Sequence, residues 1–265
     1  MRIARTLLKL KENGNKALSL FVTPGYPAMQ DTVPLILGLA KSGADIIEIG
    51  IPFSDPIADG PTIQQSSEAA LGNGVTLAGI FGFVREIRKE TDLPLVLMGY
   101  ANPVYSYGMD RFLGECASGG IDGTIIADLP LEESAEYVSA AKERGVSTIF
   151  LAAPTTPPAR LAELDRISSG FLYCISITGV TGERTALAGQ AEGFLRIARE
   201  AVKNNALLVG FGISTPDDAR RVAEMSDGVI IGSALIKTLR DAPPGRGIER
   251  ACEFVRSIRK ALDEH

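Results

Sequence analysis

Eight short apolar runs recur along the chain, at Ala17–Thr23, Asp45–Ile51, Pro94–Tyr100, Gly123–Leu129, Ser147–Ala153, Phe171–Ile177, Leu207–Ile213 and Asp227–Gly232. Between them, apolar residues fall at helical spacing over 2–12, 31–42, 62–90 (long enough for two helices), 110–118, 131–144, 159–167, 191–204, 216–223, 233–239 and 247–262. Buried parallel strands read as continuous apolar runs, and strands alternating with helices imply a parallel sheet. Eight such units in 265 residues predict an α/β chain closed as one (β/α)8 TIM barrel, a fold of about 250 residues. The expected domain is single and spans 1–265, with an extra N-terminal helix. An open doubly wound sheet is the alternative, but it gives no reason for the even count.

The spacing between strands lengthens after the second and the sixth run. In such barrels the loops leaving the C-terminal ends of strands build the active site. The insertion after the sixth run, 178–190, carries three glycines and little bulk. It reads as a mobile lid or as a plain connector.

The insertion after the second run carries the candidate chemistry. Alternation along that strand puts Ile47, Ile49 and Ile51 on one face and Ile46, Glu48 and Gly50 on the other. Glu48 is thus a carboxylate inside an apolar segment, where an unpaired charge is expensive. Beyond Pro52 the loop bears Asp55 and Asp59 and ends at Gly60-Pro61, which launches a helix. Glu48 and Asp59 can converge on one ligand. In the alternative reading, Glu48 pairs with a basic residue at the barrel edge and Asp59 caps the helix.

Composition narrows the chemistry. Hydrophobic residues make 45% and charged residues 22% of the chain, enough for a large core without disorder. The net charge of −5 argues against a nucleic-acid surface. Cys116, Cys174 and Cys252 are widely spaced, without a CxxC pair, and fit buried thiols in a reducing, cytoplasmic setting. No apolar run reaches membrane-spanning length. The one histidine is His265, which excludes Ser-His-Asp hydrolysis and internal His-ligated metals. None of the eight runs contains a lysine, which excludes a Schiff base formed inside the barrel. Proton transfer by two carboxylates remains.

At the seventh and eighth strand ends stand Gly210-Phe211-Gly212-Ile213-Ser214 and Gly232-Ser233. Glycines there let a ligand approach the backbone, and the amides of the following helix favour an anion. With no lysine or arginine beside these turns, a small phosphate ester is expected to be held by amides and the helix dipole. Phe21 and Tyr173 are candidate aromatic walls, or simply core.

The segments LFVTPGYP (20–27), IEIGIPFSDPIADGPTIQ (47–64), MGYANPVY (98–105), GTIIADLPLEES (123–134), GVTG (179–182) and GFGIS (210–214) together resemble the α subunit of tryptophan synthase. The match runs in order through nearly the whole chain. The resemblance implies retro-aldol cleavage of indole-3-glycerol phosphate to indole and glyceraldehyde 3-phosphate, with no cofactor in this chain. It makes Glu48 the acid–base group at the glycerol hydroxyl and indole C3, and Asp59 the acceptor of the indole N–H. It assigns Phe21, Tyr100, Ile125, Ala127, Leu151 and Tyr173 to the indole pocket. Gly182, Phe211, Gly212, Gly232 and Ser233 fall at the substrate and its phosphate, and Thr181 in the lid closing onto Asp59. It further implies a β-subunit partner carrying pyridoxal phosphate, in an α2β2 assembly that faces the Pro52–Asp59 loop. Ile177 departs from the arginine some members carry before GVTG. A non-catalytic phosphate-ligand-binding regulatory barrel and a sugar-phosphate isomerase share the phosphate site and stand as alternatives.

Overall fold

The computed structural model of the chain describes residues 1–175, 184–210 and 212–264, with the backbone alone over 184–191. All eight apolar runs form strands, and the fifth is divided in two. The segments are β1 (Ala17–Val22), β2 (Ile46–Gly50), β3 (Leu95–Gly99), β4 (Gly123–Ile126), β5 (Ser147–Thr148), β6 (Leu151–Ala152), β7 (Phe171–Ile175), β8 (Ala206–Gly210) and β9 (Gly228–Ile231). They lie in the order β5-β4-β3-β2-β1-β9-β8-β7-β6. β5 and β6 stand at opposite ends of that order, yet only Ile149 and Phe150 separate them in sequence. The N–H of Ile149 donates to Thr124 O at 2.9 Å on one side, and the N–H of Tyr173 donates to Phe150 O at 3.0 Å on the other. The ladder therefore closes on itself as a barrel, which removes the exposed edges of an open sheet.

The helices are α1 (Arg2–Glu12), α2 (Thr32–Lys41), α3 (Pro61–Gly72), α4 (Leu77–Arg88), α5 (Ala101–Tyr107), α6 (Met109–Gly119), α7 (Ala135–Glu143), α8 (Pro158–Ile167), α9 (Arg184–Ala201), α10 (Pro216–Glu224), α11 (Ser233–Arg240) and α12 (Gly247–Asp263). Two of them depart from the periodicity. α5 was not expected: Pro103 reads as a breaker, but in the first turn its missing N–H costs no helical bond. α9 begins at Arg184, so 184–190 is helical where a loop was expected. Ala186, Leu187 and Ala188 are strong helix formers, and no proline interrupts the stretch to Ala201.

The pleat sorts the core into two layers. Leu18, Leu20, Ile47, Ile49, Leu95 and Leu97 face outward into the main cluster shared with the helices. Ala17, Ile46, Val96, Ile125, Ile149, Phe171, Leu208 and Ile230 fill the barrel, with Ile3 and Leu7 of α1 packed among them as a plug.

At the N-terminal ends of the strands one device recurs three times. The N–H of Asp45 donates to Leu18 O and the Asp45 carboxylate accepts the N–H of Leu18, at 2.9 and 2.8 Å. Asp122 forms the same reciprocal pair with Leu95, at 2.8 and 2.9 Å, and Asp227 with Leu207, at 2.9 and 2.8 Å. Arginines clamp each carboxylate: Arg259 on Asp45, Arg2 and Arg88 on Asp122, and Arg199 on Asp227. This rim is built for stability, which leaves the opposite rim for chemistry.

Candidate active site

Glu48 lies on the inner face of β2, between Ile46 and Gly50. Register sets it beside Phe21 of β1 and Val96 of β3. It is completely buried. Its Oε1 accepts a hydrogen bond of 2.7 Å from Ser19 Oγ. Its Oε2 has no hydrogen-bond partner among the described residues. Burial pushes the carboxyl up to about 7, against the opposing pull of the Ser19 hydroxyl. The partner is thus a hydroxyl, not the cation that an edge ion pair would require.

Asp59 is half-buried on the loop between β2 and α3. Gly60 is the N-cap of α3, and no side chain caps that helix, so the capping role considered for Asp59 is not what the structure contains. Burial raises the Asp59 carboxyl above its ordinary value, and a hydrogen bond with Tyr100 pulls it back. Tyr100 also pins the loop: its Oη accepts the N–H of Ala58 at 3.1 Å, and its ring lies 5.5 Å from that of Phe53.

A cleft of about 630 Å³ opens at the C-terminal ends of the strands. Phe21, Asp59, Tyr173, Gly212, Gly232 and Ser233 all line it. The glycines at these strand ends have a task the sequence did not suggest. A Cβ at Gly210 would collide with Tyr173 Oη, and one at Gly232 would sit 3.3 Å from Phe21 Cβ. They make room for the aromatic walls as well as for a ligand. Ser233 opens α11 with Gly232 as N-cap and no side-chain cap. The first amides of that helix are therefore left for an anion.

A cation also stands at this end, contrary to expectation. Lys237 lines the cleft one turn beyond Ser233. Its signal was the helical spacing from residue 233 to residue 237, hidden because the turns themselves carry no charge. Met98 and Ile63 likewise line the cleft. Met98 shares its strand face with Val96, and Ile63 clusters with Phe21 and Ile236. Ile125 and Leu151 belong to the barrel filling, and Ala127 follows β4 with its N–H on Gly99 O; none of the three lines the cleft. Thr181, Gly182, Phe211 and Ile177 lie outside the described residues. No cluster of three or more His, Cys, Asp or Glu suited to a metal occurs among the described residues.

A closed (β/α)8 barrel whose cleft is lined by uncapped helix amides and a half-buried carboxylate, with a fully buried carboxyl on β2 outside that lining, fits the class of barrel enzymes that act on phosphate esters. Residues 7–262 match the family model described as tryptophan synthase alpha chain. The tryptophan synthase alpha chain of Geotalea uraniireducens is 47% identical over 261 residues, covering 98% of this chain and 97% of the relative. That of Geobacter sulfurreducens is 44% identical over 261 residues, covering 98% of each. The crystal structure of the alpha chain from Legionella pneumophila superposes with a TM-score of 0.91 at 37% identity, covering 99% of this chain and 97% of that one. A chain of tryptophan synthase from M. tuberculosis gives 0.88 at 32%, covering 98% of each. The chain belongs to the tryptophan synthase alpha chain family.

Proposed function

We propose that this chain, as a single barrel domain, cleaves indole-3-glycerol phosphate to indole and glyceraldehyde 3-phosphate. It serves as the alpha subunit of tryptophan synthase in tryptophan biosynthesis. The observation that carries the reading is Glu48: a fully buried carboxyl held at about 7, with one oxygen unpartnered. A group poised near neutral pH can both take and give a proton within one turnover.

Across one turnover Glu48 gives a proton to indole C3 and takes one from the hydroxyl on the adjoining glycerol carbon, so its starting protonation state is restored. The bond between these carbons breaks, its electron pair returns to the indole ring, and the hydroxyl oxygen becomes the aldehyde carbonyl. Protonation at C3 places positive charge on the ring nitrogen, where Asp59 accepts the N–H and offsets the charge. Phe21 and Tyr173 flank the indole, with Tyr100 fixing the Asp59 loop. Ser233 and the α11 amides take the phosphate, assisted by Lys237. Thr181, Gly182 and Phe211 complete the substrate contacts in this reading.

The chain needs no cofactor of its own for this chemistry. Pyridoxal phosphate belongs to the β subunit that receives indole, in an α2β2 assembly, and the expected setting is the cytoplasm. No helix among the described residues is long and apolar enough to cross a membrane. Purified chain mixed with indole-3-glycerol phosphate should release indole, whereas Glu48→Gln should not. Binding of the substrate without turnover would favour a regulatory barrel instead. Turnover of a sugar phosphate without indole release would favour the isomerase.

A further inference from the structure

Ser19 is a buried hydroxyl on the inner face of β1, between Ala17 and Phe21, fully removed from solvent. It stands level with two apolar inward residues on the strands that flank it, Ile46 on β2 and Ile230 on β9. A hydroxyl in such a place is costly unless it is hydrogen-bonded. Its partner is Glu48 Oε1, at 2.7 Å. The two side chains come from adjacent strands in fixed register, Ser19 level with Ile46 and Phe21 level with Glu48. The contact is therefore set by the barrel wall and not by a loop.

We propose that Ser19 is a positioning residue for the acid–base carboxyl. It ties down Oε1, so that Oε2 alone is left to exchange protons with the substrate. The proposal rests on the catalytic reading of Glu48 and extends it to a residue that never touches the reacting atoms. A serine suits the task because its hydroxyl is a donor. It donates to Oε1 when the acid is ionised and equally when Oε2 carries the proton, so the tether survives both halves of a proton cycle. A lysine or arginine would hold the carboxylate charged and spoil it as an acid.

The environment gives this hydroxyl unusual leverage. Burial raises the affinity of Glu48 for its proton, and the hydrogen bond from Ser19 opposes that rise. The titratable group facing the carboxyl among the described residues is Tyr173 on β7, whose ionisation is opposed by burial and then by the Glu48 charge. Met98 of β3 brings no charge. Without Ser19, desolvation would act on the carboxyl with no described hydrogen bond to offset it.

The test uses the full chain with Ser19→Ala, Ser19→Thr and Glu48→Gln. In Ser19→Ala, kcat should fall about tenfold, the worth of one hydrogen bond to a charged group, with KM little changed. The acid limb of kcat/KM should move to higher pH, because the ionised base has lost its donor. Infrared titration of the carboxyl band absent from Glu48→Gln should show the same upward displacement without relying on turnover. Ser19→Thr keeps the hydroxyl and should keep the parent's pH profile, even if its extra methyl lowers the melting temperature. If Ser19→Ala has the parent's acid limb and band midpoint while Glu48→Gln is inactive, Ser19 only fills space and the proposal is overturned. If Glu48→Gln still releases indole, the catalytic reading fails first and the positioning role with it.

Discussion

Glu48 is fully buried, so its protonation is coupled to folding. Its folded value of about 7 lies above the ordinary 4.5, so the native state binds this proton more tightly than the unfolded chain. Below about 4.5 both states are protonated and the group is neutral in the balance. Between the two values stability falls as pH rises, and above about 7 the full cost applies, roughly 3 kcal/mol. Glu48→Gln cannot ionise and should exceed the parent in stability at pH 8 by up to about that amount. The gain should vanish at pH 4, while indole release falls by about 10²–10⁴-fold. Urea titrations at the two pH values check the first part, and a stability difference independent of pH would mean that the carboxyl is not ionised in a dry interior. Lys237 makes a second expectation at this scale. As an exposed cation at the cleft mouth, it should contribute to phosphate affinity in a salt-sensitive way. Lys237→Ala should weaken glycerol phosphate binding several-fold and flatten its dependence on ionic strength in calorimetric titrations. An unchanged affinity would return the whole task to the helix amides.

Elements show where stability was placed so that the other rim could carry a costly carboxyl. Asp122 joins four things: the N–H of Leu95, Arg88 from α4, Arg2 from the plug helix α1, and its own reciprocal bond to β3. The side chains of Arg88 and Asp122 are 11% and 5% exposed, so removing one partner strands the other in low dielectric. Asp122→Ala should cost about 3–5 kcal/mol without altering the pH profile of turnover, a separation that denaturation and kinetics together would reveal. These aspartates stand in the sequence at the start of an apolar run (Asp45, Asp227) or just before one (Asp122), yet one chain cannot tell a strand-start clamp from a solvated loop acid. The same limit explains the rest. Alternation grouped Glu48 with Ile46 and Gly50 on one face, and a carboxylate among isoleucines is conspicuous. Which face is the inner one emerges only from closure of the barrel. Ser19 passed unnoticed, because a serine in a strand is unremarkable until its neighbour on the next strand is known. Met98 and Lys237 were missed for a related reason: each sits in a segment whose pattern is satisfied by packing alone. The division of the fifth run into β5 and β6 depends on its pairing with two different neighbours, which no local periodicity encodes.

At the scale of the whole molecule, closure of the barrel leaves partner contacts to the loops and short helices of the rim. β2 and β3 are adjacent, and each is followed by an unusually apolar exposed position: Ile57, 84% exposed, on the loop after β2, and Tyr105, 57% exposed, on α5 after β3. The Phe53–Tyr100 contact ties the loop to the start of α5, so the two positions share one scaffold. That scaffold also carries Asp59, so a partner seated on it would press on the loop that holds this carboxylate. If the β subunit docks there, Ile57 is an anchor whose burial is gained only in the complex. Ile57→Asp should therefore weaken association with the β subunit by about tenfold or more, since interface anchors cost over 1 kcal/mol when lost. The melting temperature of the isolated chain should hardly move, because an exposed side chain contributes little to its own fold. Sedimentation of the mixed subunits would give the affinity, and the mass of the parent complex would test the expected α2β2 stoichiometry. Association as tight as the parent's would place the docking surface away from this loop.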